Sequence, residues 1–108
     1  MDSNIRELIL NITNRLIKEY RPEKVILFGS YAYGNPDEDS DIDFLIIKNT
    51  KQRPIDRWFE VCEVVSDPER RIPFEPIILT KEELHKRIEI GDQFINEIIT
   101  KGKVLYER

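Results

Sequence analysis

The sequence has little of the side chains that carry most nucleophilic and metal chemistry: one cysteine and one histidine among 108 residues. A single cysteine excludes an intramolecular disulfide and any cage of several thiolates around a metal. Cys62 lies in an apolar segment, where we expect a small buried side chain. His85 has no second histidine or cysteine near it in the sequence, and an exposed helical position is the simpler interpretation. Chemistry that needs a thiolate or a histidine pair is therefore not indicated.

A long apolar run and an excess of positive charge are also missing. No stretch approaches the ~20 apolar residues needed to cross a bilayer, so we expect no membrane partner. The first four residues lack the basic and then apolar pattern of a secretion signal, which favours a cytoplasmic protein. The net charge of −4 argues against broad nucleic-acid binding, because such binding needs a basic surface.

Apolar residues recur at helical and at strand spacing in alternating segments, and 108 residues are enough for one core, so we predict a single domain over residues 1–108. The predicted helices cover residues 3–20, 31–33, 54–65 and 80–90. Helical periodicity continues over residues 94–99, and Gly102 fits a C-terminal cap. The predicted strands cover residues 24–28, 41–47 and 72–79, and residues 104–106 are expected to be extended. Two prolines in residues 72–79 favour an edge strand, and Thr80 with Glu83 has capping-box spacing. The alternation predicts an α/β fold with a small mixed β-sheet and flanking helices.

The most informative stretch joins the end of one predicted strand to the start of the next. Gly29 and Ser30 follow the apolar residues 25–28, and ten residues separate Ser30 from Asp41. A Gly-Ser turn before a helix offers a backbone N–H, a hydroxyl and a helix N-terminus to an anion. Asp41 and Asp43 point the same way along a strand, and they repel each other unless a cation lies between them. Carboxylate oxygens suit a hard ion such as Mg²⁺, so this stretch predicts a site for a metal and a nucleotide phosphate.

Each part of this pattern also has an ordinary structural explanation. A Gly-Ser pair after a strand is commonly a plain turn, and Asp-x-Asp at a strand start often only contacts solvent. Glu75, between apolar neighbours in the predicted edge strand, would by itself most often be an exposed strand residue. The turn, the fixed spacing and a later acidic residue together are more specific than any one of them.

The segment from Phe28 to Asp43 resembles the signature of the nucleotidyltransferase superfamily that includes DNA polymerase β. The likeness is greatest to the minimal nucleotidyltransferase (MNT) domains, and it extends to residues 102–106. The resemblance implies a polymerase β-like nucleotidyltransferase fold. It also implies that Gly29 and Ser30 hold the β- and γ-phosphates of a nucleoside triphosphate.

The resemblance further implies that Asp41 and Asp43 are ligands of two Mg²⁺ ions and that a later strand supplies a third carboxylate. Residues 73–77 align with that strand, which makes Glu75 the third catalytic and metal-binding candidate. Two positions depart from the family pattern. Glu75 is one methylene longer than the usual aspartate, which affects how it would activate an acceptor hydroxyl. Tyr33 stands where many relatives have arginine, so a phosphate contact is lost or replaced.

The activity that the resemblance implies is Mg²⁺-dependent transfer of a nucleoside monophosphate, most simply AMP from ATP, to a hydroxyl acceptor. The predicted elements leave no residues for a domain that grips this acceptor, so we expect a partner to supply it. MNT proteins resemble the antitoxin half of HEPN/MNT toxin–antitoxin pairs, in which a tyrosine of the helical toxin is adenylylated. The leading hypothesis is therefore an antitoxin that adenylylates a HEPN-type partner.

Three alternatives stay open on the sequence alone. The first is a module of the same fold that neutralises a partner by contact. The second is a regulator that binds ATP or GTP without transferring it. The third is a structural domain whose acidic loop binds cations. The base preference, the number of nucleotides added and the oligomeric state are also open. The apolar faces of the first and last helices suit the core, a dimer or a partner.

Overall fold

Strands and helices alternate along residues 3–108, the part of the chain that the computed structural model describes. In chain order the elements are α1 (Ser3–Glu19), β1 (Lys24–Phe28), α2 (Ser30–Tyr33), β2 (Ile42–Ile47), α3 (Pro54–Val64), β3 (Phe74–Leu79), α4 (Lys81–Glu89), α5 (Gln93–Lys101) and β4 (Lys103–Glu107). Their bounds differ from the predicted ones by at most two residues. The N-terminal pattern considered above begins at Met1 and Asp2, which lie outside the described residues. Within residues 3–108, each helix is too short or too polar to span a bilayer.

The strands form one sheet in the order β3-β2-β1-β4, which confirms the small mixed sheet with flanking helices. β1 pairs antiparallel with both β2 and β4, and β2 pairs parallel with β3. β3 lies at an edge, as its prolines predicted. The segment predicted only as extended is β4, the strand at the other edge. Its side chains are mostly exposed, so the sequence carries no alternating apolar signal for it.

The two faces of the sheet meet different helices because strand side chains alternate between them. One face packs on α1 and α3, where Leu16 is fully buried in the larger apolar cluster. The other face packs on α5, whose Ile95 and Ile98 are buried in a smaller cluster with Leu45. Asp43 lies two residues before Leu45 in β2, so its side chain points to the α5 side of the sheet.

The register between β2 and β3 is held by aromatic side chains on the α1 face. The rings of Phe44 and Phe74 meet edge to face with their centroids 5.0 Å apart, and both side chains are buried. Ile42, the ladder partner of Phe74, is also buried. A slip of one residue would move all these side chains to the other face, so burial specifies the register. The same register pairs Asp43 with Glu75.

Gly102 ends α5, as the sequence predicted. It does not have the left-handed backbone that commonly explains a glycine at the end of a helix. Its backbone is extended, with φ −67° and ψ 163°. A Cβ at this position would lie 2.6 Å from Cγ2 of Ile26 and 3.0 Å from the carbonyl oxygen of Leu27. Glycine is required because α5 turns into β4 directly against β1, and this close contact fixes α5 on the sheet.

A buried cation joins α3 to α4. The side chain of Arg57 is 6% exposed, and its Nη1 lies 2.7 Å from Oε1 of Glu83. Arg57 also donates to the carbonyl oxygen of Gln52 at 2.9 Å. Glu83 in turn accepts from the backbone N–H of Thr80, which completes the predicted capping box. The hydrogen bond from Arg57 holds the pKa of Glu83 below its usual value. Nothing in the sequence marked Arg57 as buried.

We expect Glu83→Ala to lower the free energy of unfolding by about 2–3 kcal/mol, because it leaves Arg57 buried without its carboxylate and removes part of a helix cap. Urea denaturation at pH 7 measures this loss. Glu82→Ala removes an exposed carboxylate from the same helical turn and is the matched control, with an expected change within about 0.5 kcal/mol. Because a lowered carboxyl pKa stabilises the fold only where the group is ionised, the loss shrinks below about pH 4. Equal losses in the two variants would contradict the assignment.

Candidate active site

The turn between β1 and α2 requires glycine. Gly29 has φ 76° and ψ −162°, a backbone conformation that is essentially restricted to glycine. Its carbonyl oxygen accepts hydrogen bonds of 3.0 Å from the backbone N–H groups of Ala32 and Tyr33, which closes the first turn of α2. A Cβ on Gly29 would overlap Oδ2 of Asp43 and lie 3.2 Å from its Cγ. The missing side chain therefore makes the turn and also leaves room for the Asp43 carboxylate.

The structure brings the predicted site residues to one end of the sheet. Asp43 in β2 is the ladder partner of Glu75 in β3, and paired residues of neighbouring strands project from the same face. Asp41 lies on the chain just before β2 and is half-buried like Asp43, whereas Glu75 is exposed. The Gly29–Ser30 turn follows β1, whose last residue is the ladder partner of Asp43 on the other side.

The pKa of Asp43 shows that the three carboxylates interact. Burial raises the pKa of Asp43, and the negative charges of Asp41 and Glu75 raise it further, to about 6. A carboxylate that is partly removed from water and repelled by two neighbours favours either a proton or a cation. The charges of Asp41 and Glu75 therefore both act on Asp43.

The chemistry of these side chains fits a divalent cation. All three offer carboxylate oxygens, which hard ions such as Mg²⁺ prefer. Among residues 3–108, no three acidic, histidine or cysteine side chains converge as a ready-made metal cage. The strand register brings the backbones of Asp43 and Glu75 together, which places two of the three carboxyl groups on the same face of the sheet.

Tyr33 lies at the rim of this site, where the family pattern has arginine. Burial raises the pKa of the Tyr33 phenol, a hydrogen bond with the backbone of Gly29 lowers it, and the charges of Glu97 and Asp43 raise it. The phenol thus lies near the Gly-Ser turn, within range of the charges of Glu97 in α5 and Asp43 in β2. A neutral hydroxyl replaces the charged guanidinium at this position.

Phe94 is a neighbour of the site that sequence reasoning missed. Its ring contacts Phe28 edge to face, with 5.7 Å between centroids, and Phe28 is the ladder partner of Asp43. The sequence shows only that Phe94 belongs to an amphipathic helix. No local signal indicates that the first turn of this helix packs beside the carboxylates, because that depends on the tertiary placement of α5.

The cysteine and the histidine take no direct part in the site. Cys62 is half-buried, whereas we expected it to be buried. Burial, and then the charge of Glu75, raise the pKa of its thiol, so the thiol stays protonated at neutral pH. His85 is exposed on α4, as expected.

Alanine substitutions at two glycines compare an open left-handed position with the glycine-restricted turn beside Asp43. Gly29 and Gly34 both have positive φ, but a Cβ on Gly34 meets nothing within 4 Å. We expect Gly34→Ala to cost about 1 kcal/mol and Gly29→Ala at least about 2 kcal/mol, because the second also displaces Asp43. Urea denaturation of both variants measures the difference. Equal losses would show that the Asp43 carboxylate moves aside freely.

We expect Asp43→Asn to stabilise the metal-free protein above pH 6. A carboxyl whose pKa is about 6 when folded binds its proton more tightly in the folded state, so wild-type stability falls as the pH rises from about 4 through 6. The asparagine variant lacks this fall. Relative to the wild type, its free energy of unfolding should be higher by about 1–2 kcal/mol at pH 8, allowing for partial solvent exposure, and unchanged at pH 4. Urea unfolding in EDTA measures the gain, with the exposed Asp39→Asn as control. A gain independent of pH would contradict the assignment.

Similarity to known proteins identifies the family. The family described as Polymerase beta, Nucleotidyltransferase matches residues 11–108. A protein of Methanocaldococcus jannaschii, named as a candidate protein adenylyltransferase, is 31% identical over 105 residues, which are 95% of this chain and 99% of that protein. A second protein of that organism with the same kind of name is 37% identical over 87 residues, 78% of this chain and 58% of that protein.

A solved structure shows the same fold. The crystal structure of a candidate nucleotidyltransferase from Sulfolobus solfataricus has a TM-score of 0.66 and 22% identity to this chain, and the match covers 98% of this chain and 85% of that one. The sequence relatives and the shared fold agree with the resemblance noted in residues 28–43. The chain therefore belongs to the polymerase β nucleotidyltransferase family as a minimal nucleotidyltransferase domain, and its enzyme class is nucleotidyltransferase.

Proposed function

We propose that this protein is a Mg²⁺-dependent adenylyltransferase that transfers AMP from ATP to a hydroxyl group of a partner protein. The observation that carries the proposal is the strand register that pairs Asp43 with Glu75 beside the glycine turn. The similar proteins of Methanocaldococcus jannaschii, each named as a candidate protein adenylyltransferase, support ATP and a protein acceptor.

In this proposal the Gly29–Ser30 turn holds the β- and γ-phosphates, and Asp41, Asp43 and Glu75 hold two Mg²⁺ ions. Bound there, Mg²⁺ would supply Lewis-acid stabilisation of the negative charge on the phosphate oxygens. The acceptor oxygen forms a bond to the α-phosphorus while the bond from that phosphorus to the bridging oxygen breaks, and pyrophosphate leaves. The hydroxyl proton passes to the exposed carboxylate of Glu75 and from there to solvent.

A groove next to Glu75 offers room for the acceptor. It runs along the outer edge of β3 from Pro76 to Leu79 and has a cavity volume of about 460 Å³. Trp58 of α3 lines one side, and Lys86 of α4 lines the other. Glu75 itself does not line the groove, but it directly precedes Pro76, so a polypeptide segment bound along this edge would pass close to that carboxylate. A protein acceptor therefore suits this side of the site.

The partner we propose is a small helical HEPN-type toxin, with this chain as its antitoxin in the cytoplasm. Membership of the minimal nucleotidyltransferase domains supports this pairing. A second candidate function is neutralisation by contact alone. The exposed side chains of Ile55 and Phe59, one helical turn apart on α3, favour it because they provide an apolar surface outside the site.

Incubation with ATP labelled in its α-phosphate, Mg²⁺ and the product of the neighbouring gene tests the proposal. We expect label on the partner, and at least about a hundredfold loss of label in the double variant Asp41→Asn/Asp43→Asn, because several kcal/mol of charge stabilisation disappear. EDTA should give the same loss. Asp39→Asn removes an exposed acid from the loop before β2 and should keep full activity.

The outcomes separate the candidate functions. Unchanged labelling in the double variant overturns the assignment of the carboxylates. Full neutralisation of the partner by the double variant, without label, supports the contact mechanism instead. Binding of ATP with no release of pyrophosphate in the presence of the partner supports a nucleotide-dependent regulator.

A further inference from the structure

An exposed aromatic ring lies beside the carboxylates on the side away from Glu75. Phe94 is 50% exposed. Its ring nevertheless contacts the buried ring of Phe28 edge to face. Phe28 is the ladder partner of Asp43, and the two side chains project from the same face of the sheet. One buried side chain therefore separates the Phe94 ring from the central carboxylate of the site.

The position of Phe94 is fixed from both ends of its helix. At the start of α5, the side chain of Asp92 accepts a hydrogen bond of 3.2 Å from the backbone N–H of Ile95. Asp92 is also 3.6 Å from Nη1 of Arg87, which ties the end of α4 to the start of α5. At the other end, Gly102 lies directly against β1. The ring is thus presented on a rigid element, which a binding surface requires.

The exposed side of α5 carries a charge that acts near the Gly-Ser turn. Glu97 lies three residues after Phe94, so the two side chains are neighbours along the helix. The charge of Glu97 acts on the phenol of Tyr33, which is hydrogen-bonded to the backbone of Gly29 and also senses the charge of Asp43. Phe94 and Glu97 of α5 therefore lie on the β1 side of Asp43, and Glu75 with its groove lies on the β3 side.

We propose that the ring of Phe94 is the surface on which the base of the nucleotide stacks. The inference rests on the proposed function, because it takes ATP as the substrate. A triphosphate held at the Gly-Ser turn beside Asp43 has its nucleoside on one of two sides of β2. The β3 side carries the negative charge of Glu75 and the groove for the acceptor. The β1 side carries aromatic rings, and aromatic side chains stack on nucleic-acid bases.

Stacking on one ring also defines the class of base. Every base has a flat face, so a single phenylalanine does not distinguish adenine from guanine. A purine covers more of the ring than a pyrimidine does, and more apolar surface leaves water. Phe94 therefore favours ATP and GTP over CTP and UTP.

Calorimetric titration with Mg²⁺–ATP and with Mg²⁺–tripolyphosphate, which has no base, tests the proposal. We expect Phe94→Ala to weaken ATP binding about five- to hundredfold and to leave tripolyphosphate binding unchanged. Phe94→Leu keeps an apolar contact with Phe28 but has no flat face, and it should lose ATP affinity as well. Phe59→Ala removes a 60% exposed ring from α3, on the other face of the sheet, and should bind both ligands like the wild type.

A fluorescent reporter gives a second readout. In the variant Trp58→Phe/Phe94→Trp the only indole is at position 94, since the chain has one tryptophan. ATP should quench this indole and tripolyphosphate should not. Either of two results overturns the stacking role alone. One is wild-type affinity for ATP in both Phe94→Ala and Phe94→Leu. The other is a loss of tripolyphosphate binding in both variants that equals their loss of ATP binding. Failure of the wild type to bind either ligand overturns the proposed function together with it.

Discussion

Burial of the Asp43 carboxyl next to Asp41 and Glu75 is the constraint around which the site is arranged, because burial first and then the two negative charges raise the pKa of Asp43. Like charges on neighbouring strands destabilise a sheet unless other contacts hold the strands in place. Here those contacts lie on the opposite face, where Phe44 and Phe74 pack edge to face and fix the register of β2 against β3. The apolar core on one face thus maintains an unfavourable charge arrangement on the other, which is the usual relation between a scaffold and a functional site.

The glycine turn belongs to the same arrangement. Gly29 needs its positive φ for the turn into α2, and it also needs to lack a Cβ because the Asp43 carboxylate occupies that space. The glycine turn and Asp43 are therefore packed against each other and are not two independent features. A change at either one alters the other, so the site behaves as one unit made from β1, β2 and the turn between them.

The parts of the site that could be predicted are those whose residues lie close together in the sequence. The turn and the two aspartates lie within one stretch, so spacing and strand alternation were enough to place them together. Glu75 was placed only through the family resemblance, because its contact with Asp43 depends on the register of two strands separated by α3. Phe94 and Arg57 were missed, since one depends on how α5 lies on the sheet and the other on how α3 meets α4. Gly102 was placed correctly at a helix C-terminus, but its close contact with β1 could not be predicted because it is not a local property.

The two sides of Asp43 differ in chemistry, and this asymmetry gives the site a direction. The β3 side is acidic and exposed at Glu75, whereas the β1 side is aromatic at Phe28 and Phe94. A triphosphate has the same sign of charge as the three carboxylates, so its approach is unfavourable until cations neutralise the oxygens on both partners. For the proposed reaction, the metal–nucleotide complex is therefore the species that the site accepts. In this proposal the aromatic side orients the nucleoside, and the acidic side is open to the acceptor hydroxyl, whose proton Glu75 would receive.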